Sequence, residues 1–327
     1  MVTEKIAPFR STMNEAAVDL FDEMVEMEEV IKGKMVETRL GPTILDVGLN
    51  APGGLLAGEY TIQVCMGGLA EVSLTTKNYS NKLTLPAVLV STDHPAVATI
   101  GSQFAGWAIK KEGYQAIGSG PARILAKKPK TIYEQLPIID DYPETVIVLE
   151  ANAYPPDAVL EYLAQKCNVP LDNLCVLLAP TTSMAGAIQI AGRSIETALH
   201  QLFHQGMDIL TVKSAMGVCP IAPLINKNAQ QMMGRTNDML TYGAEVFLQV
   251  AYNDDTKLKA FLSKAVSSHS SEYGRPFFEI LQSVGGDFYK IDPGLFAPAK
   301  IVVNNTTTGS LFTLGGINLE LLKKSIL

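Results

Sequence analysis

The sequence predicts an α/β protein, because short apolar runs alternate with segments at helical spacing along most of a long, apolar-rich chain. Hydrophobic residues make up 47% of its 327 residues and charged residues 18%, which is typical of a folded globular protein. A chain of this length is expected to form two domains or one large α/β domain. The alternation itself favours largely parallel or mixed sheets.

The first part of the chain contains both segments at helical spacing and short apolar runs. Residues 13–38 carry apolar side chains at helical spacing, with acidic residues on the other faces. Glycine and proline then punctuate short apolar runs, which predict strands within 38–50, 60–74 and 83–93. Helical spacing returns at 94–113, and a strand, a glycine turn and a helix are predicted over 114–128.

The later part begins at the segment 131–145 (TIYEQLPIIDDYPET), which mixes prolines with acidic residues and is the predicted crossing between domains. A strand, a helix and a strand follow, in TVIVLEA, PPDAVLEYLAQKC and NLCVLLA. Residues 181–206 then predict one long helix. Another strand (ILTVKSAM) precedes a helix at 228–243 and a strand at 244–251.

The tail at 300–316 has the pattern of a hairpin, which we expect to return to the first domain. The predicted domains are therefore residues 1–130 together with 285–327, and residues 131–284. No internal repeat and no low-complexity tract interrupts this division.

Charge and composition exclude several classes of partner. The net charge is −7 and the pI is about 5.2, whereas a broad nucleic-acid surface needs a clustered basic footprint. The N-terminal residues are charged throughout and carry no apolar leader. The most apolar run, NLCVLLAPTTSMAGAIQIAG, is interrupted by Pro180 and three hydroxyl residues, although a spanning helix needs about 20 mainly apolar residues. We expect a cytoplasmic protein with neither a nucleic-acid nor a membrane partner.

The four cysteines indicate the same compartment. Their spacing forms no CxxC and matches no zinc or haem pattern. We expect four reduced thiols that serve as packing residues. They are Cys65, Cys167, Cys175 and Cys219.

The stretch IAGRSIETALH (190–200) places Arg193 and Glu196 three residues apart inside an apolar helix. On a continuous helix they lie away from the apolar stripe, so the pair is not expected in the core. The same side carries small or uncharged residues where a solvated face normally favours charged ones. The pair is either a surface ion pair or the part of a site that a ligand approaches.

A metal site is the third interpretation of this helix. Glu196, His200 and His204 are spaced four apart and therefore lie on one face, as metal ligands can. Arg193 is the next group on that face, and a fixed cation disfavours a second one. Gln201 and Gln205 suggest that the later turns face water.

Two strand-to-helix turns are candidate anion sites. Thr181, Thr182 and Ser183 open the predicted long helix, whose N-terminal amides attract an anion. In GSGPAR, a glycine turn leads to Pro121 at the first helical position. Plain strand-to-helix turns are the alternative, since the segment matches neither phosphate-loop pattern. The candidate ligands in GSGPAR are Ser119, Gly120, Pro121 and Arg123.

Further polar groups follow a strand or lie on a helix. Asp93 and His94 follow the strand predicted within 83–93, at the kind of strand end where α/β sites collect. Arg235, Asn237, Asp238 and Tyr242 form a polar cluster suited to a ligand with many hydrogen-bonding groups. Helix capping is the alternative for both sets. No GxSxG nucleophile elbow is present to support a Ser–His–Asp hydrolase.

Eight stretches in register resemble one family, methenyltetrahydromethanopterin cyclohydrolase of one-carbon metabolism in archaea and methylotrophs. The resemblance runs from about residue 38 to the C-terminus, and only the acidic N-terminal helix, Cys219 and the NKNAQQ loop depart from it. The matching stretches are APGGLLAG (51–58), CMGGLAEVSL (65–74), GSQFAGW (101–107), IGSGPARIL (117–125), AP-T-SMAG-IQIAGR--E (179–196), IAP (221–223), MGRTND-L-YG (233–243) and GDFYKIDPGLFAPA (286–299).

The resemblance implies a fold of two α/β domains with mixed sheets separated by a deep cleft, assembled into a homo-oligomer, with a trimer favoured. The implied reaction adds water reversibly to a cationic methenyl bridge and needs neither a cofactor nor a metal, because the bridge carbon is already electrophilic. The implied catalytic pair falls on Glu196, as general base, and Arg193, as the group that tunes it. The two anion-site turns, Asp93, His94 and the cluster at 235–242 would bind the pterin substrate.

Two alternatives come from other classes. A non-catalytic pterin-binding or one-carbon-carrier protein would not need a general base, so the presence of Glu196 and Arg193 argues against it. A metal-dependent hydrolase would use Glu196, His200 and His204.

Overall fold

The computed structural model describes residues 9–10, 12–81, 83–225, 228–287 and 290–326, and the chain divides into two compact units. Unit 1 falls within Met1–Leu69 and Val97–Pro180. Unit 2 falls within Ala70–Ala96 and Thr181–Leu327.

The strands are short in unit 1 and longer in unit 2. In chain order they are β1 (Phe9–Arg10), β2 (Lys34–Glu37), β3 (Thr43–Asp46), β4 (Glu71–Ser80), β5 (Leu83–Thr92), β6 (Trp107–Lys111), β7 (Tyr114–Ser119), β8 (Ile138–Ile139), β9 (Thr145–Glu150), β10 (Leu174–Leu178), β11 (Val212–Pro220), β12 (Glu245–Val250), β13 (Lys300–Asn305) and β14 (Ser310–Gly315).

The α-helices are α1 (Met13–Glu26), α2 (Glu28–Ile31), α3 (Leu55–Cys65), α4 (Ala122–Ala126), α5 (Lys130–Gln135), α6 (Asp157–Cys167), α7 (Met184–Ala191), α8 (Ser194–His204), α9 (Ala229–Gly243), α10 (Asp255–Lys264), α11 (Phe277–Ser283) and α12 (Leu319–Ile326). A π-helical segment covers Ala96–Gln103. Short 3₁₀ turns lie at Leu171–Asn173, Ile209–Thr211, Ser267–His269 and Pro293–Leu295.

The main sheet of unit 1 has the strand order β2-β3-β10-β9-β7-β6. Its centre is parallel, because β10 pairs in parallel with both β3 and β9, whereas β2, β7 and β6 join in antiparallel pairs. Every residue of β10 is buried, as expected for a parallel strand covered on both faces. Leu178 lies opposite Asp46 and Leu149, so the three parallel strands end at one edge of the sheet.

The hydrophobic core of unit 1 lies between this sheet and its helices. On one side, the inner face of α6 packs with side chains of β9, β10 and the β6–β7 hairpin. On the other side, α1 contacts α3 and β9. The spacing of Val159, Leu160 and Leu163 along α6 explains why that helix buries one face.

The sheet of unit 2 has the strand order β14-β13-β12-β11-β5-β4 and is antiparallel except for the β12–β13 pair. Residues along β12 and β13 alternate between buried and half-buried positions. This alternation is typical of a sheet with one face in the core. Helices α7, α8 and α9 contact that sheet, with α7 on β5 and β11 and α8 on β11 and β12.

The predicted α/β class with mixed sheets is confirmed. Three local predictions were wrong in part. Residues 34–37, predicted within the helical segment 13–38, form β2. Residues 60–65, predicted within a strand, form the end of α3, because a short apolar run in a buried helix has the same pattern as a buried strand. Residues 107–111, predicted within a helix, form β6 after the π-helical segment ends at Gln103.

The predicted domain boundaries do not match the two units. The segment 131–145 is not a crossing, since β9 beyond it pairs with β7 before it, and both strands belong to unit 1. The tail does form the predicted hairpin, β13–β14, but β13 pairs with β12, so the hairpin belongs to unit 2. An apolar pattern indicates that a strand is present but does not determine which other strand it pairs with.

All four cysteines are free and buried, as predicted for packing residues. Among the described residues, no helix is long and apolar enough to cross a membrane.

The C-terminal helix α12 is fastened to α9 through a buried carboxylate. Asp238 accepts hydrogen bonds from the Ser325 hydroxyl at 2.7 Å and from the Phe277 backbone N–H at 2.8 Å. Burial, to which the charge of Glu279 adds, raises the pKa of Asp238 to about 7. The folded state therefore favours the protonated acid in a range where the unfolded chain is ionised.

The raised pKa of Asp238 predicts that this residue makes the free energy of unfolding depend on pH. An acid whose pKa is higher in the folded state loses stability as pH rises from its unfolded value, near 3.8, to about 7, and the loss is constant above that. The Asp238→Asn variant lacks this loss. Its advantage over the wild type should grow by on the order of 3 kcal/mol between about pH 4 and pH 7. Denaturant titrations across that range measure it.

The control is Glu320→Gln, which removes an exposed carboxylate from α12. Its difference from the wild type should stay nearly flat over the same range. An Asp238→Asn difference that is equally flat would contradict the assignment.

Candidate functional site

The predicted long helix 181–206 is two helices that meet at Gly192–Arg193. Ser183 caps α7, since its backbone is extended and its hydroxyl accepts the Gly186 N–H at 2.9 Å. Helix α7 ends at Ala191, and Arg193 is the N-cap residue of α8. No proline marks the junction, so the apolar period alone predicts a continuous helix.

Arg193 and Glu196 are buried inside unit 2. Arg193 is 7% exposed and Glu196 is 5% exposed, so the expectation that the pair lies outside the core was wrong. Most residues on every side of α7 and α8 are buried, so the helix pair has no solvated polar side for the two residues to face. A solvated surface pair is thereby excluded, because such a pair is exposed by definition.

Arg193 is oriented by Gln189, one turn earlier on α7. Its Nε and Nη2 atoms both donate to Gln189 Oε1, at 3.1 and 2.9 Å. Gln189 is itself buried. Glu196 lies in the first turn of α8, where the helix dipole favours a carboxylate. The site therefore combines an oriented guanidinium with a buried carboxylate at a helix start.

The first turn of α8 lies directly against β11 at Gly217. A Cβ atom at Gly217 would lie 2.2 Å from Ser194 Oγ and 3.0 Å from Ile195 Cγ1. Ser194 and Ile195 are fully buried. The absence of a side chain at position 217 is thus what lets the start of the Glu196 helix approach the sheet so closely.

The later turns of α8 are also more buried than predicted. Gln201 is 5% exposed and donates to the carbonyl oxygens of Pro293 and Phe296, at 2.7 and 3.1 Å, so the expectation that it faces water was wrong. Gln205 is half-buried and donates to the Gln201 carbonyl. These contacts fasten α8 to part of the DPGLF stretch.

The two histidines of α8 differ in exposure. The His200 and His204 rings stack with centroids 6.2 Å apart, and His204 is exposed. Burial, with a smaller contribution from His204, lowers the pKa of His200 to about 4, so His200 is neutral at neutral pH. Within the described parts of the chain, no group of three or more His, Cys, Asp or Glu side chains is arranged to hold a metal ion.

The other candidates in unit 2 flank this helix pair in different ways. Thr181 is buried and Thr182 half-buried just before α7, while Ser183 serves as the helix cap. Asp93 and His94 are exposed beyond the end of β5, and the His94 N–H donates to the Thr92 hydroxyl. Strand β5 pairs with the β11 segment that contains Gly217, opposite Val90.

The 235–242 cluster does not act as one polar surface. Tyr242 is fully buried, and its hydroxyl donates to the Arg275 carbonyl at 2.6 Å, so its hydroxyl already has a partner within the fold. Asn237 donates to Met233 on its own helix. Arg235 donates to the carbonyls of Pro223 and Ile326 and lines a cavity of about 280 Å³ that Asp238 also lines.

In unit 1, Arg123 has a structural role that the sequence did not suggest. It is fully buried, and its guanidinium donates to the carbonyls of Ser102 and Lys128, both at 2.8 Å. The Phe104 and Tyr133 rings lie 5.2 and 5.9 Å from the guanidinium carbon. The predicted anion ligand is therefore a buried group that satisfies main-chain oxygens near the end of the π-helical segment.

The turn before Arg123 has the predicted form. Gly120 has φ +94°, a backbone conformation that suits glycine, and its N–H donates to the Ser102 carbonyl. Ser119 is buried, with its hydroxyl 3.5 Å from Cys65 Sγ, and Pro121 precedes the first turn of α4. A ligand role for Ser119, Gly120 and Pro121 stays a prediction.

Asp46, at the end of β3, is a buried carboxylate that sequence reasoning missed. Its oxygens accept the Tyr154 hydroxyl at 2.7 Å and four backbone N–H groups at 2.7–3.1 Å, those of Gly48, Leu49, Asn50 and Ala51. Burial alone would raise the pKa of Asp46, but these hydrogen bonds outweigh it and hold the pKa below its usual value. An Asp at a strand end before a Gly-rich segment was the available signal.

Comparison with known proteins covers both units. A family model described as cyclohydrolase (MCH) matches residues 12–326. The chain is 41% identical over 317 residues to the methenyltetrahydromethanopterin cyclohydrolase of Methanocaldococcus jannaschii, with 96% of this chain and 98% of that protein covered. Proteins of the same name from Methanococcoides burtonii and Methanocella arvoryzae are 40% and 41% identical over 314 residues, with the same coverage.

The close approach at Gly217 predicts a clash that can be relieved. Gly217→Ala should lower the free energy of unfolding by about 1–3 kcal/mol, the usual cost of overpacking a core. Adding Ser194→Ala removes the atom nearest the new methyl group and should restore part of that loss. Denaturant titrations of both variants measure the effect.

Gly316→Ala is the matched control, because a Cβ there meets no atom within 4 Å. It should change stability little. Equal losses at positions 217 and 316, or no recovery in the double variant, would contradict the packing argument.

The structural role of Arg123 predicts a loss of stability when its side chain is replaced. Arg123→Met leaves buried carbonyls without their donors and should cost about 2–4 kcal/mol of unfolding free energy. Arg39→Met is the control, since Arg39 pairs with Asp157 at the surface and such pairs are worth about 0–1 kcal/mol. Similar thermal unfolding of the two variants would contradict the assignment.

Proposed function

The chain belongs to the cyclohydrolase family (MCH), and we propose that Glu196 and Arg193 of unit 2 carry out the family's reaction in it. The activity is hydrolysis of a carbon–nitrogen bond in the cyclic amidine of methenyltetrahydromethanopterin. The observation that supports the choice of residues is their burial at the α7–α8 junction, where Gln189 orients the guanidinium.

The bond changes define what the protein must supply. The oxygen of a water molecule bonds to the cationic bridge carbon, and the water loses one proton to a base. The base returns that proton to one bridge nitrogen, and the carbon–nitrogen bond to that nitrogen breaks. The remaining hydroxyl proton is released as the carbon becomes a formyl group. The balance is methenyl cation plus water to formyl product plus one proton. A positioned carboxylate can perform the first transfer and return a proton to the nitrogen.

Glu196 has the features of that base. Its carboxylate is 5% exposed, so few bulk water molecules compete with the one that reacts. Its position in the first turn of α8 favours the ionised form through the helix dipole. A carboxylate also attracts a substrate that carries positive charge, and more strongly so where water is excluded.

Arg193 acts beside it. The guanidinium is fixed by two hydrogen bonds to a neutral partner, so its direction is set and its charge is not cancelled by that partner. A fixed cation three residues before the base favours the ionised carboxylate. We propose that its positive charge also orients the attacking water, whose oxygen becomes the formyl oxygen.

Residues of unit 2 are also the candidates for binding the rest of the substrate. We propose Thr181, Thr182, Asp93 and His94 as substrate-binding residues, since they lie at the start of α7 and just beyond the end of the paired strand β5. Arg235 and Asn237 are further candidates, as half-buried polar groups of α9. Arg123 and Tyr242 are not, because their polar groups are committed to main-chain carbonyls.

We further propose a homo-oligomer, with a trimer favoured, in the cytoplasm, and no resident cofactor. The absence of a cofactor follows from the chemistry, because the cationic bridge carbon accepts water without redox or metal activation. The sequence resemblance supports the oligomer. Light scattering after size-exclusion chromatography would give the copy number.

The test of the catalytic base is Glu196→Gln, which keeps the shape of the side chain and removes its basicity. We expect turnover of methenyltetrahydromethanopterin, followed by its absorbance, to fall at least about a hundredfold. Substrate binding should be largely retained. Near-normal turnover in this variant would refute the mechanism.

His204→Gln separates this mechanism from the metal-dependent alternative. His204 is exposed on α8, and the proposed mechanism gives it no role, so its replacement should leave turnover within about twofold. A loss comparable to that of Glu196→Gln, together with stoichiometric zinc or iron in the purified protein, would favour the metal-dependent hydrolase.

A further inference from the structure

The side-chain amide of Gln189 is the nearest described partner of the proposed catalytic pair that has no assigned role. Its Oε1 atom accepts from both Nε and Nη2 of Arg193, at 3.1 and 2.9 Å. A single acceptor shared by two donors of the planar guanidinium fixes the direction of that plane. Gln189 is 2% exposed, so water does not compete for these hydrogen bonds.

The hydrogen bonds between Gln189 and Arg193 connect the two helices across the break. Gln189 lies in α7, whereas Arg193 is the N-cap residue of α8, with φ −87° and ψ 8°. The four-residue spacing would place the two side chains together on a continuous helix. Here the same spacing brings them together around the junction, so the side-chain contact sets where Arg193 points relative to the start of α8.

The partner of Arg193 is a neutral amide and not a carboxylate. An arginine in a buried setting is usually paired with a carboxylate, which gives stronger, bidentate hydrogen bonds. A carboxylate at position 189 would also neutralise the charge of Arg193. An amide supplies an acceptor oxygen without a charge.

We propose that Gln189 is a positioning residue for the cyclohydrolase reaction, which orients the Arg193 guanidinium while leaving its positive charge to act on Glu196 and the attacking water. This inference rests on the proposed catalytic role of the pair. The reaction then requires an uncharged hydrogen-bond acceptor at position 189.

Two substitutions separate orientation from charge. Gln189→Met keeps the length of the side chain and removes the acceptor, so Arg193 loses its fixed direction. Gln189→Glu keeps the acceptor and adds a charge that neutralises Arg193. We expect each to lower kcat by about ten- to a hundredfold, the usual range for losing a group that positions a catalytic one, with KM changed less than about threefold.

The pH profile distinguishes the two variants. In Gln189→Glu a second carboxylate competes with Glu196 for the charge of Arg193, so the acid limb of the kcat profile should move to higher pH. In Gln189→Met the acid limb should move less. A merely structural role of Gln189 would lower kcat in both variants and would leave the acid limb unmoved in both, which would overturn the proposal.

A double-mutant cycle supplies the second readout. If Gln189 acts through Arg193, then Gln189→Met should have almost no further effect on kcat in an Arg193→Met background. Additive losses would show that Gln189 acts independently of Arg193 and would overturn the proposal. Denaturant titrations of each variant confirm that the kinetic comparison is made on folded protein.

Gln249→Met is the matched control. Gln249 lies on β12 and its Oε1 also accepts a side-chain hydrogen bond, from Ser214 at 2.9 Å, but it belongs to neither α7 nor α8. Its kcat should remain within about twofold of the wild type. If the proposed catalytic role of Glu196 and Arg193 were wrong, the Glu196→Gln variant would keep full activity. Normal kcat in Gln189→Met beside an inactive Glu196→Gln would refute only the role of Gln189.

Discussion

The hydrogen bonds from Arg193 to Gln189 are the interaction on which the geometry of the candidate site depends. They join the last turns of α7 to the N-cap residue of α8 across the helix break. Both charged residues are buried in unit 2, where the interaction between charges is less screened than in water.

Helix α8 is in turn held in place from two sides. At its start, Gly217 allows Ser194 and Ile195 to rest on β11. Farther along, Gln201 donates to two carbonyls of the segment 293–296. The carboxylate of Glu196 lies between these attachments, so its position is determined by backbone contacts of the sheet and of a distant loop, as a preorganised site requires.

Several motif residues make hydrogen bonds within the fold that the motifs did not suggest. Arg123 satisfies carbonyls at the end of a π-helical segment, and Tyr242 donates to a carbonyl of a neighbouring loop. Asp46, which the motifs did not single out, gathers four amides into one loop. Buried polar groups must be hydrogen-bonded, and a sequence does not distinguish a buried polar side chain that serves the backbone from one that awaits a substrate.

The sequence by itself determined the α/β class, the family, most strands and helices and the C-terminal hairpin, because these depend on local periodicity or on motifs in register. It did not determine the break at Gly192–Arg193, the burial of the pair or the strand partners of the tail. Those depend on contacts between residues far apart in the chain, such as β12 with β13 and Gly217 with Ser194. Helical periodicity shows which residues share a face, and only the packing of the helices within unit 2 decides how many of those faces are buried.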